Sequence, residues 1–202
     1  MPKTLLIGSG NRDKAAELER MLDSVAWDVK TLRDFPTVPE PEEIETTFEG
    51  NALLKARYYG TQFGVACLAD DSGIEVDALD GTPGVYSARY AGENCSYDDN
   101  NRKLLAALKS VPPGKRRARF VCCAAFVDRD GIEHVEIGTV EGVIAPEPRG
   151  SNGFGYDPVF IPSGFEQTFG ELNPLVKASV SHRGEAFGKL SAWLAEHAVA
   201  TQ

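Results

Sequence analysis

Eight consecutive residues, FVCCAAFV at positions 120–127, are apolar at both parities. Successive strand residues face opposite sides, so such a run marks a central strand, buried on both faces. The rest of the chain is read around that strand. The DRDG stretch at 128–131 turns it into a partner strand over 132–144. Residues 4–9 read as a first strand, broken by Gly10 and Asn11. A helix over 13–22 follows, with Ala15, Leu18 and Leu22 on its apolar face. A strand is expected over 27–32 and an unpatterned Pro- and Glu-rich loop over 35–45. Thr46 and Glu49 suggest a capping box. The helix behind it carries Phe48, Ala52, Ala56, Tyr59 and Phe63 on one face and ends at Gly64. Residues 65–69 read as a short strand running into an acidic turn, Asp70-Asp71-Ser72-Gly73. The stretch 81–92 is expected to be loop. Ser96 caps a third helix with Leu104, Leu105 and Leu108 inward, stopped by Pro112-Pro113-Gly114. The segment 150–162 reads as a loop, and a last helix over 181–198 turns Phe187, Leu190 and Leu194 inward.

Strands and helices thus alternate, the mark of an α/β chain. At 202 residues and 42% hydrophobic, it has material for one domain or two closely packed lobes; we treat 1–202 as a single domain. Lys and Arg total 21 against 30 Asp and Glu, a formal net charge of −9. That argues against a nucleic acid polymer as partner, which needs a positive face, but not against a small phosphorylated substrate. No run approaches the ~20 apolar residues of a membrane span, and the N-terminal apolar run is too short for a signal peptide. A cytoplasmic, soluble protein is expected. Cys67, Cys95, Cys122 and Cys123 form no CxxC pair, and His134, His182 and His197 no zinc spacing, so the thiols read as reduced and structural.

Five segments carry candidate chemistry. SGNRDK, residues 9–14, joins a strand to a helix, where backbone amides and Lys14 suit an anion. It lacks the Gly-Lys-Ser/Thr of a P-loop and the third glycine of a dinucleotide fingerprint. ADDSG, residues 69–73, offers oxygen ligands for a hard cation. Because adjacent strand residues diverge, Asp70 and Asp71 are expected to play different roles. RGSNGFGYDPVF, residues 149–160, places Phe154 and Tyr156 among glycines that let backbone approach a ligand, with Asp157 able to accept from a base edge. In KASVSHRGEA, residues 177–186, His182 and Arg183 open a helix whose dipole disfavours cations. That suggests service to an acceptor-rich ligand, and loss of Arg183 is expected to leave stability almost unchanged. In the fifth, Asn51 and Lys55 share a helix face, while Glu40, Glu42, Glu43 and Glu45 before them are possible metal ligands. Each segment alone also admits an ordinary reading as a turn, a solvated loop or surface polar residues.

Together the five carry a resemblance. SGNRDK, TFEGNALLKA, ADDSGIEVDALDGTPGVYSARYAG, GFGYDPVF and SHRGEA follow one another as in the inosine triphosphate pyrophosphatase family, over nearly the whole chain. That resemblance implies an elongated two-lobed α/β fold with a mixed central sheet, helices on its faces and an active-site cleft between the lobes. It also implies a homodimer and hydrolysis of ITP, dITP and XTP to the monophosphate and pyrophosphate, with magnesium. Asp71 would be the catalytic carboxylate and a metal ligand, and Glu42, by its spacing before Phe48, the second. Ser9, Gly10, Asn11, Arg12, Asp13 and Lys14 would hold the triphosphate. Ser72, Phe154, Gly155, Tyr156, Asp157, Lys177, His182 and Arg183 would contact the nucleotide. Val176 stands where family members often have Glu, which puts a local salt bridge in doubt but not the class of reaction.

The chemistry is consistent. Cations must neutralise a triphosphate before water can attack it, and a carboxylate can orient or deprotonate that water. Donors facing a 6-oxo purine are left unpaired by adenine, at about 1–3 kcal/mol per buried group. Two alternatives stand beside this reading: a nucleotide pyrophosphatase of another base preference, and a nucleotide-binding regulator without turnover.

Overall fold

In the computed structural model the described residues are 3–22 and 25–198. Among them six strands make one mixed sheet: β1 (Thr4–Ile7), β2 (Asp28–Thr31), β3 (Ala66–Val76), β4 (Arg117–Val127), β5 (Glu133–Ile144) and β6 (Phe160–Pro162). Their order is β2-β1-β3-β4-β5-β6. β1 is parallel to both β2 and β3, and β5 is antiparallel to β6. The helices are α1 (Arg12–Met21), α2 (Phe48–Phe63), α3 (Tyr97–Ala107), α4 (Pro174–Val180) and α5 (His182–Ala198). The apolar run of β4 lies inside the sheet, as its pattern demands; Val121 to Val127 are all buried.

Local chemistry sets most boundaries. Asn11 caps α1, its side chain accepting from the Asp13 and Lys14 amides. Thr47 caps α2 by accepting from Gly50 N at 3.0 Å, one residue later than the Thr46 register expected from sequence. Gly64 ends α2 in the left-handed conformation at φ 61°, which costs glycine little. Ser96 and Asp99 form a reciprocal capping box on α3.

The expected acidic turn is a correction. Residues 70–73 do not turn; β3 continues through them to Val76. The 81–92 stretch contains a short 3-10 helix, Gly84–Arg89, and β6 and α4 arise in segments read as loop or left unassigned.

The chain forms two compact units. Unit 1 comprises Met1–Asp71, Cys122–Gly138 and Arg183–Gln202, and unit 2 comprises Ser72–Val121 and Thr139–His182. Inside unit 1, Leu5 and Ile7 of β1, Ala66 and Leu68 of β3, and Cys122, Ala124 and Phe126 of β4 pack with Ala15 and Leu18 of α1 and Phe187, Leu190 and Leu194 of α5. Leu6 and Cys67, of opposite parity, pack with Tyr59 of α2. One sheet face therefore meets α1 and α5, and the other meets α2. Inside unit 2, Leu104 and Leu108 gather with Ile74, Phe120, Tyr156, Phe160 and Phe169.

Candidate active site

The parity of β3 sorts its two carboxylates. Asp70 continues the row of Ala66 and Leu68 and faces α1 and α5. Its Oδ2 lies 3.3 Å from Lys14 Nζ and 3.3 Å from Arg183 Nε. Burial alone would raise its pKa, but Lys14 and Arg183 outweigh that and hold it well below the usual carboxylate range. Asp70 is an anchored anion.

Asp71 continues the row of Cys67 and faces α2. It accepts from Asn51 Nδ2 at 3.2 Å and from Lys55 Nζ at 3.3 Å. Burial is the chief cause pushing its pKa up; Lys55 and Lys14 pull it down, while Glu43 and Asp70 push it further up. The same burial opposes the charge on Lys55, yet Asp71 and Glu43 raise its pKa to about 12. A buried carboxylate with a perturbed pKa beside a cation is a candidate for a functional role. Asn51 and Lys55 thus share a face, as their four-residue spacing implies, and that face is aimed at Asp71. Asn51 Oδ1 also accepts from Glu45 N at 3.1 Å, tying the acidic loop to the same residue.

In the Ser9–Lys14 segment the Asn11 side chain occupies the Asp13 and Lys14 amides at 3.0 and 3.2 Å. The positive charge offered there is therefore chiefly the Lys14 ammonium, while Arg12 and Asp13 are exposed. The Glu40 carboxylate lies against Gly10, in the space a Cβ there would take.

Three of the four glutamates before α2 now separate. Glu40 lies against Gly10. Glu43 pairs with Lys55 at 2.8 Å. Glu42, like Glu40, is exposed. Among the described residues no three or more His, Cys, Asp or Glu side chains cluster as a metal cage. One or two carboxylates with substrate phosphates are how magnesium is usually held, and Asp71 has the carboxylate that such a site needs.

Unit 2 gathers the residues expected at the base. Asp157 Oδ2 accepts from Phe154 N at 2.8 Å and from Lys177 Nζ at 2.7 Å. Lys177 also sits 5.1 Å from the Phe154 ring centroid. Lys177 thus has an ion-pair partner in Asp157. Gly153, at φ 73°, lets the chain pass tightly over Asp157 and Lys177, where any Cβ would clash. Tyr156 is buried, and its hydroxyl donates to Ser87 O at 2.9 Å. Ser72 is half-buried in β3, and His182 stacks on Phe120 with ring centroids 4.6 Å apart.

Arg183 corrects an expectation. Though it stands in the first turn of α5, it is buried and paired with Glu17 at 3.0 Å as well as with Asp70. The dipole argument overlooked these two anions, which outweigh an opposing helix terminus.

Comparison with known proteins places this arrangement among relatives. A family model described as Ham1 family matches residues 5–193. A dITP/XTP pyrophosphatase of Exiguobacterium sibiricum is 47% identical over 94% of the chain and 96% of that protein. One of Geobacter sulfurreducens is 47% identical over 92% and 94%. Among solved structures, a HAM1 protein from Coxiella burnetii superposes with a TM-score of 0.87 at 39% identity, covering 96% of this chain and 99% of that one. A nucleoside-triphosphatase, dITP/XTP pyrophosphatase, of Mycobacterium abscessus gives 0.76 at 45%, covering 93% and 98%.

Proposed function

The chain belongs to the Ham1 family, and from that premise we infer that it hydrolyses non-standard purine nucleoside triphosphates (ITP, dITP and XTP) to the monophosphate and pyrophosphate. The observation that carries this reading is near full-length identity with proteins named dITP/XTP pyrophosphatase. The proposed division of labour follows the residues. Lys14 and Lys55 neutralise the triphosphate, with the Ser9–Lys14 turn shaping its seat. Asp71, with its raised affinity for protons, orients and deprotonates the attacking water. Asn51 and Lys55 hold that carboxylate in place. Phe154 offers a ring to the purine, and Gly155, Tyr156, Asp157, Lys177, His182 and Ser72 shape its surroundings, with Arg183 reinforcing the phosphate end through Asp70. Asp71 and Glu40 would hold magnesium, which would supply charge neutralisation on the phosphates. The enzyme acts as a homodimer in the cytoplasm, where the nucleotide pool is; no described helix is long and apolar enough to cross a membrane.

Product analysis tests the reaction. With ITP and magnesium, inosine monophosphate and pyrophosphate should form in equal amounts, and ATP should be a poor substrate. Inosine diphosphate with orthophosphate as the main products would reject α–β cleavage. A second experiment separates the glutamates. Glu40→Gln should raise the magnesium concentration needed for half-maximal rate by about tenfold or more, the scale on which metal sites respond to disturbed ligation. Glu42→Gln should leave it unchanged. The opposite ranking would return the ligand role to Glu42.

A further inference from the structure

Two residues of α3, in the same unit, face the Phe154 loop from outside it. Asn101 Nδ2 donates to the Gly155 carbonyl at 2.9 Å. Tyr97, one turn earlier on the same helix face, sets its ring 5.9 Å from that of Phe154, tilted by 37°. Gly153 and Gly155 both hold left-handed backbone, at φ 73° and 62°, so the segment between them has little stiffness of its own and depends on outside ties. Asp157 supplies one tie from within the loop, at the Phe154 amide. Asn101 supplies another from outside the loop, two peptides on, at the Gly155 carbonyl.

Asn101 is also costly where it sits. It is 4% exposed, and its Oδ1 has no hydrogen-bond partner in the protein. A buried unpaired acceptor destabilises a fold, so an apolar side chain would serve packing better. The amide earns its position through the Gly155 carbonyl.

We propose that Tyr97 and Asn101 are positioning residues for base recognition: Asn101 fixes the Phe154–Gly155 backbone, and Tyr97 braces the ring that meets the purine. The proposal rests on the reading of Phe154 as the base-facing ring. A loosened ring weakens purine binding and blurs the choice of base, because discrimination depends on how firmly the partner groups are held. It leaves the phosphate chemistry at Asp71 in place.

The test is steady-state kinetics with ITP and ATP on Asn101→Leu, Tyr97→Ala and Tyr97→Phe, with thermal unfolding alongside. Asn101→Leu and Tyr97→Ala should each raise KM for ITP by about five- to tenfold, the scale of one lost hydrogen bond or ring contact. Their kcat should stay within about twofold, and the preference for ITP over ATP should fall. Tyr97→Phe, which keeps the ring, should behave as the parent. Tyr97 is 39% exposed, so its variants remain informative if Asn101→Leu folds poorly. Parental KM and preference in Tyr97→Ala, a fall in kcat at unchanged KM, or Tyr97→Phe as impaired as Tyr97→Ala would each overturn the proposal. A parent that does not turn over ITP would overturn the functional reading and this inference with it, whereas an active parent with unaffected variants overturns this inference alone.

Discussion

Asp71→Asn is expected to lower kcat for ITP by about a thousandfold, within the range that loss of a positioned general base produces, while the protein folds as before. The substitution preserves shape, and the amide oxygen can still accept from Asn51. It removes the negative charge on which both the proton transfer and the metal depend. Stability should not fall. Asp71 is a buried carboxylate whose folded pKa is raised above the ordinary value, chiefly by desolvation. The stability linked to its protonated form is therefore present at low pH and is lost as pH rises through that raised pKa. At neutral pH without magnesium the charge is a burden on the fold, and a neutral isostere relieves it. Lys55 keeps Glu43 as a partner at 2.8 Å. Rate and melting temperature, the latter in a chelator, decide the matter. Near-parental turnover at saturating magnesium would remove Asp71 from the chemistry, and a large fall in melting temperature would mean that its charge is structural.

The neighbouring pair shows what a sequence can say about such a site. That Asp70 and Asp71 must differ was legible from strand alternation alone. That they sit inside a strand was not, because Asp, Ser and Gly are poor strand formers and ADDSG has the look of a turn. Tertiary partners override that propensity: α1 and α5 bring cations to one carboxylate, and α2 brings an amide and an ammonium to the other. The i, i+4 relation of Asn51 and Lys55 was equally legible, but their target was not, since it lies 20 and 16 residues away in sequence. The acidic loop was opaque for a different reason. Without periodicity nothing fixes side-chain direction, so the approach of Glu40 to Gly10 and of Glu43 to Lys55 could not be read from spacing. β6 and α4, three and seven residues long, are too short to leave a periodic signal. The β4 core strand and the apolar faces of α1 and α5 were readable because each runs long enough for its period to show.

Arg183→Ala is expected to cost about 3–5 kcal/mol, as breaking one side of a buried ion pair does, and to lower the melting temperature by roughly 10 °C for a chain of this size. The guanidinium is 3% exposed between Glu17 and Asp70, 166 and 113 residues away in sequence. Its removal leaves Asp70 facing Lys14 without the guanidinium, in a space too buried for water to compensate. The effect should depend on pH in a definite direction. Asp70 has a folded pKa held well below the ordinary value, with Lys14 and Arg183 overcoming burial. The stability it contributes is present above the unfolded carboxylate pKa and is lost as pH falls through the folded one. Without Arg183 that folded pKa rises, so acid unfolding should begin at a higher pH in the variant. Function follows from the same contact. Asp70 left with less positive charge draws Lys14 more tightly, and the ammonium offered to the phosphates weakens, so KM for ITP should rise as well. Adding Asp70→Asn to Arg183→Ala should restore part of the lost stability, because the stranded charge is gone. If the single variant melts within about two degrees of the parent, or the double variant is the sum of its singles, the buried pair is not what holds β3 against α1 and α5.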